Sequence, residues 1–219
     1  KRGRNRAFIK IQDGCRHKCT FCVVTIARGD ERSHEINNIT DEINKHHQNG
    51  IQEVVLTGVH VGGYGNDINS NLYKLIQAIL NNTTIPRIRL ASIEPWDLHE
   101  KFFSLFTNKR LMPHIHLPLQ SGCNSVLKRM ARRCKTDDFK CIVNSARNQI
   151  ENFNITTDII VGFPGETDEE WEKSLKFIKE IGFSHIHIFA YSAREGTKAS
   201  TFPNQIENST KKERSKRLH

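Results

Sequence analysis

No apolar run in the 219 residues approaches the length of a membrane span, and the amino terminus lacks the charged, apolar and small-residue order of a secretory signal. Internal repeats and low-complexity tracts are missing as well. So is a starting methionine, and both ends read as joints in a longer protein. Acidic residues are absent from the first ten positions, which carry Lys1, Arg2, Arg4, Arg6 and Lys10. The last nine hold Lys211, Lys212, Arg214, Lys216 and Arg217 against Glu213 alone. The net charge of +9 therefore sits entirely at the ends, because residues 11–210 balance at 23 basic and 23 acidic side chains. Solvated linkers carry such charge as readily as RNA-binding segments do, so it is no argument for nucleic acid. Six cysteines without a secretory signal point to metal ligands or buried thiols in a reducing, cytoplasmic compartment.

What is present is an alternation of short β-branched runs and longer amphipathic stretches. The expected strands are Ala7–Ile11, Glu53–Thr57, Arg87–Ala91, His114–Leu117, Ile155–Val161 and His185–Phe189. The expected helices are Thr40–Asn49, Leu72–Leu80, Leu98–Leu105, Ser125–Met130, Asp137–Gln149 and Glu169–Ile181. Thr40 is expected to start its helix, and Asn49-Gly50 and Gly182 to stop theirs. Strand, loop and helix repeated six times predict an α/β domain with a parallel sheet. Periodicity alone allows either a doubly wound sheet or a partial barrel. The special residues favour the barrel: Cys15–Cys22, Thr57–Gly65, Ser92–Trp96, Pro118–Gly122 and Gly162–Glu166 each follow a strand. Six units leave it open, with a side gap for a large substrate. The expected division is a basic linker over 1–10, a core over 11–205, and a basic linker or helix over 206–219.

Cys15, Cys19 and Cys22 share one tight loop after the first strand. Three thiolates can ligate three irons of a 4Fe–4S cube and leave the fourth open to a small molecule, which suits catalysis better than electron carriage. A structural zinc site is the alternative, but zinc takes four protein ligands and favours paired Cys-x-x-Cys motifs. Phe21 reads equally as a core aromatic or as a platform for a planar ligand. Thr57 and Gly58 open a glycine-rich loop in which His60 is a hydrogen-bonding residue rather than a ligand. Ser92 and Glu94 suit ribose hydroxyls or a helix cap. Gln120 is held between Pro118 and Gly122, either to orient a polar ligand or as part of a stiff loop. Gly162, Pro164, Gly165 and Glu166 form a loop fit to clamp a purine edge, or an ordinary turn with Thr167 or Asp168 capping the next helix. Arg129, Arg132 and Arg133, flanked by Lys128 and Lys135, read as a solvated face or as phosphate contacts. Cys123, Cys134 and Cys141 lack ligand spacing and read as buried or free thiols.

The three-cysteine loop resembles that of the radical S-adenosylmethionine enzymes. Ile11–Cys15, Ala27–Gly29, Val55–His60, Arg87–Leu90, Ile93–Pro95, His116–Gly122 and Asp158–Thr167 resemble the methylthiotransferases among them. The Gln-Asp-Gly-Cys start and the Thr-Gly-Val-His loop are most similar to the threonylcarbamoyladenosine tRNA branch. The resemblance implies an open six-unit β/α TIM-like barrel of the radical SAM type, holding a 4Fe–4S cluster on the three cysteines. The open iron would chelate S-adenosylmethionine, and reductive cleavage would release a 5′-deoxyadenosyl radical to activate C2 of the modified adenosine.

By the same resemblance Thr57 and Gly58 would meet the methionyl end, Ser92 and Gln120 the sugar or methionine, and Gly162–Glu166 the adenine, with Phe21 beside it. It implies tRNA (at the anticodon loop) and a reducing electron donor as partners, with no membrane and a monomeric state. A second 4Fe–4S cluster is expected only in an amino-terminal domain, and RNA binding in a carboxy-terminal one, both outside this sequence. The fragment is therefore expected not to complete methylthiolation alone. The alternatives are an isopentenyladenosine tRNA or ribosomal-protein aspartate methylthiotransferase, or a non-catalytic metal-bound module that holds RNA.

Overall fold

The computed structural model describes residues 5–219. Among the described residues, seven strands and seven α-helices follow one another along the chain. The strands are β1 (Arg6–Asp13), β2 (Arg32–Ser33), β3 (Glu53–Gly58), β4 (Arg87–Leu90), β5 (His114–His116), β6 (Asn154–Val161) and β7 (His185–Ala190). The helices are α1 (Val24–Arg28), α2 (Ile36–Gln48), α3 (Leu72–Asn82), α4 (Asn124–Arg129), α5 (Thr136–Gln149), α6 (Asp168–Ile181) and α7 (Asn208–Leu218). Among the described residues no helix is long and apolar enough to cross a membrane. Of the expected amino-terminal linker, residues 1–4 lie outside the described residues, and residues 6–10 already belong to β1. The carboxy-terminal segment forms α7.

One sheet runs β2-β1-β3-β4, with β2 antiparallel to β1 and the rest parallel; the other runs β5-β6-β7, all parallel. Single parallel bridges Ile88–Leu111 and Ser92–His116 connect the two across β4 and β5. The six parallel strands thus follow sequence order from β1 to β7 without the reversal that a doubly wound sheet requires. Among the described residues no ladder joins β7 back to β1, so the barrel stays open.

One face of β1, β3, β4, β5 and β6 is buried in the core, while β7 packs on it only through half-buried Ile186 and Ile188. Ile9 and Ile11 (β1), Val54 and Leu56 (β3), Ile88 and Leu90 (β4), Ile115 (β5) and Ile155, Ile159 and Val161 (β6) share one core. Helix positions at three- and four-residue spacing complete it: Ile39 and Ile43, then Leu72, Leu75, Ile76 and Ile79, then Phe139, Val143 and Ala146, then Trp171, Leu175 and Ile178. The alternate strand residues turn to the concave side.

Two expectations are corrected. Thr40 does not start α2, which begins one turn earlier; its hydroxyl donates back to the Asn37 carbonyl at 2.9 Å, and it belongs to the buried stripe with Ile39 and Ile43. The stretch predicted as a helix over Leu98–Leu105 is a 3-10 segment, Glu100–Thr107. Its buried Phe102/Leu105 and Phe103/Phe106 pairs recur every three residues, the period at which 3-10 side chains align. Of the two expected caps, Thr167 rather than Asp168 caps α6, in a box with Glu170, and Gly182 ends that helix at φ 62°.

Candidate active site

All the loops singled out by sequence lie at the carboxy-terminal ends of the parallel strands. The cysteine loop leaves β1 through Gly14, whose φ of 76° only glycine adopts cheaply and whose missing Cβ would sit 1.9 Å from the Asp30 carbonyl oxygen. The loop is then tied at several points. The Cys15 amide donates to the Gly29 carbonyl at 3.0 Å, the Thr20 amide to Met130 at 3.0 Å, and the Thr20 hydroxyl to Arg129 at 2.9 Å. Gln12, fully buried at the end of β1, joins the first two loops. Its amide nitrogen donates to the Gly14 carbonyl at 2.7 Å, while its oxygen accepts the amides of Val59 and His60 at 3.1 and 2.8 Å.

Each sulfur faces a donor. The His17 amide points at Cys15 Sγ (3.4 Å), the Val24 amide at Cys22 Sγ (3.5 Å), and the Arg132 guanidinium at Cys19 Sγ (3.9 Å). All three cysteines are free and half-buried. As thiols, two of them resist ionisation: burial pushes Cys15 up to about 11 and raises Cys19 as well. A metal that binds here must displace those protons, and the three donors then stabilise the thiolates. Among the described residues, groups of ligand atoms lying within 4.8 Å of one another are found at His17–His60–Asp97 and His116–Asp158–His187. The three sulfurs are not among these groups, and three thiolates that leave a fourth position open are a donor set for an iron–sulfur cube. The donor set fits such a cluster.

Arg132 draws three loops together. It reaches Cys19, both carboxylate oxygens of Glu94 and the Pro118 carbonyl, and stacks on Trp96 at 4.5 Å. With only 2% of its side chain exposed, it is no phosphate contact, contrary to the sequence reading. Arg129 is bound to Glu170 and to the Gly165 carbonyl, which leaves Arg133 as the exposed member of the trio. Arg16, Lys18, Cys19, Trp96 and Arg133 line a cavity of about 290 Å³ beside the loop. Another cavity, about 750 Å³, lies between α3 and the Glu100–Thr107 segment and includes no cysteine.

Beneath the loop sits a charged network that sequence reasoning missed apart from His60. His60 Nδ1 lies 2.8 Å from Glu31 and Nε2 lies 2.6 Å from Asp97, with His17 Nε2 at 3.2 Å. Burial alone would lower His60, but Asp97 and Glu31 outweigh it and hold the imidazole above its ordinary value. Burial would likewise raise Glu31, yet bonds from His60 and Asn66 keep its carboxyl below the usual range. His17 is lowered by burial and by His60.

The remaining expected residues fall into place individually. Phe21 packs edge-on against Phe163 (6.5 Å) at the rim of a small satellite core with Met130 and Tyr191. Thr57 and Gly58 end β3, and a Cβ on Gly58 would press on the Gln12 carbonyl at 2.9 Å. Ser92 is exposed opposite His116. Gln120 holds φ 75°, with backbone bonds from its amide to Asp158 and from Ile160 to its carbonyl. Pro164 is buried, and the Gly165 amide donates to Asn204. Glu166 is spent inside the fold: it accepts the Gly162 amide at 2.8 Å and Arg214 of α7 at 2.7 Å, and is 2% exposed. Cys123 and Cys134 are buried, and Cys141 is exposed.

A family model described as the Radical SAM superfamily matches residues 9–178. The chain is 42% identical over 213 residues to the threonylcarbamoyladenosine tRNA methylthiotransferase MtaB of Thermotoga maritima, covering 96% of this chain and 49% of that protein. It is 37% identical over 223 residues to a tRNA-2-methylthio-N(6)-dimethylallyladenosine synthase of Staphylococcus aureus, covering 100% and 43%. The chain thus spans about half the length of the curated relatives it matches. Among solved structures, the radical S-adenosylmethionine methyltransferase TsrM of Kitasatospora setae shares the fold at TM-score 0.71 and 16% identity, over 88% of this chain and 38% of that one. Coproporphyrinogen III oxidase of Escherichia coli does so at 0.68 and 14%, over 96% and 50%. With the three cysteines at the head of an open β/α barrel, the chain belongs to the radical SAM superfamily.

Proposed function

We propose that this chain is the catalytic core of a tRNA methylthiotransferase acting at C2 of N6-threonylcarbamoyladenosine beside the anticodon. The observation that carries the reading is the three-thiol loop, each sulfur facing a donor, in a chain 42% identical over 96% of its length to a relative named for that substrate. Cys15, Cys19 and Cys22 hold a 4Fe–4S cluster, which when bound supplies the electron that cleaves S-adenosylmethionine. Thr57 and Gly58 take the methionyl end, Ser92 and Gln120 the sugar or methionine, and Gly162, Pro164 and Gly165 the adenine, with Phe21 beside it. Glu94 acts through Arg132, whose fork keeps the loops after β1, β4 and β5 in register. Glu166 acts on the same loop from behind, by fixing the Gly162 amide.

The core domain runs from β1, which begins at Arg6 rather than at residue 11, to about residue 205, and a second cluster belongs to an amino-terminal domain of the whole protein. That protein works in the cytoplasm as a monomer, with a reducing electron donor. The S. aureus relative, matched over the whole chain, supports a second reading in which the tRNA substrate is dimethylallyladenosine. Mass spectrometry of tRNA nucleosides from cells with and without the full-length gene separates the two. Loss of the methylthio-threonylcarbamoyl nucleoside, with its unthiolated precursor accumulating, is the expected result. Loss of the dimethylallyl product instead would transfer the assignment to the second reading.

A further inference from the structure

The concave face of the β5-β6-β7 sheet carries a group of side chains that the cluster loop does not use. Parallel register sets His116 beside Thr156 and Thr156 beside His185, and one step up it sets Asp158 beside His187. Strand alternation puts His114 and His116, Thr156 and Asp158, and His185 and His187 on one face. The opposite face, with Ile115, Ile155 and Ile159, is sealed under helices.

The geometry points to a divalent-cation site formed by His116, Asp158 and His187. One ligand atom from each lies within 4.8 Å of the others. His116 Nε2 and Asp158 Oδ1 are 3.2 Å apart. Two ligands about 2.1 Å from a tetrahedral ion stand about 3.4 Å apart, so these two atoms need hardly move. Thr156 can hold the tautomer that a metal needs. Its hydroxyl lies 2.8 Å from His116 Nδ1 and 3.1 Å from His114 Nε2, so it can accept from the first and donate to the second. With Nδ1 protonated, His116 Nε2 turns a lone pair toward the Asp158 carboxylate, and a cation between them relieves that opposition. A partner on the far ring nitrogen of a ligating histidine is the usual outer support of a metal site. Two histidines and one carboxylate suit zinc, iron(II) or cobalt(II), with the remaining positions open to the barrel interior. His187 is exposed and His116 half-buried, so the site is reached from that side.

Cobalt(II) chloride titrated into the cluster-loaded chain tests this, because the thiols are then occupied by iron. Bound cobalt is counted by elemental analysis after dialysis, and its coordination is read from visible absorption. The site predicts one saturable equivalent, with affinity reduced at least tenfold in His187→Ala and Asp158→Asn and retained in His185→Ala. Both histidines are exposed, and an unchanged acid-labile sulfide content in each variant shows that the cluster and the fold around it are intact. Absence of a saturable equivalent would overturn the proposal. So would binding that His187→Ala leaves unchanged, or that His185→Ala weakens equally.

Discussion

Arg132 Nη1 stands 3.9 Å from Cys19 Sγ while the same guanidinium grips both oxygens of Glu94. A buried cation thus stabilises a ligand sulfur and holds the loop after β4 in one contact set. Removing one partner of such a pair leaves the other uncompensated, so Arg132→Ala should cost about 3 kcal/mol of stability. Arg132→Lys keeps the charge but loses the fork and should recover only part. Urea unfolding midpoints of the three proteins provide the check.

His60 supplies a pH signature. Its folded value lies above the ordinary one, so its stabilisation is fully present below the unfolded value, about 6.5, and is lost as pH rises through the folded value. Glu31 has the opposite sign: its contribution is present above the unfolded value and lost as pH falls through the depressed folded one. The stability difference between wild type and His60→Gln should therefore be largest near pH ~6 and shrink toward pH ~9. A difference that grows toward alkaline pH would contradict the assignment of charge to this imidazole.

Gln120 separates strain from function. Its φ of 75° costs a non-glycine residue about 1 kcal/mol. Gln120→Gly should raise stability by about that amount in thermal unfolding, and lower S-adenosylmethionine cleavage if the side chain orients the ligand. A gain in stability with full activity would reduce Gln120 to a turn residue.

Arg214 anchors α7. It bonds to buried Glu166 at 2.7 Å and to Asp168 at 2.7 Å. Arg214→Ala should cost about 3 kcal/mol and speed amide hydrogen exchange across Asn208–Leu218 more than across α2. Equal acceleration everywhere would show that α7 does not open as a unit.

Strand positions and loop order were legible because the period-two and helical patterns agree with the final packing, as in β6 and α6. The cysteine loop was legible because three thiols at that spacing have few other uses. Arg132 was not: Lys-Arg-Met-Ala-Arg-Arg reads as a solvated face, and its burial depends on Glu94, 38 positions earlier in the chain. Glu166 misled for the same reason, since its partner Arg214 lies 48 positions later. Strand β2 pairs through only Arg32 and Ser33, too short a run for any period. Thr40 shows local capping chemistry overruled by an apolar stripe that starts a turn earlier.

The most direct test is anaerobic reconstitution of the chain and of Cys19→Ala, with iron, sulfide and zinc counted and 5′-deoxyadenosine measured after reduction with S-adenosylmethionine. The account predicts about four irons and four sulfides per wild-type chain, as one cube requires, with 5′-deoxyadenosine formed, and loss of its formation in Cys19→Ala. One zinc per chain with no cleavage, or equal cleavage by the variant, would contradict it.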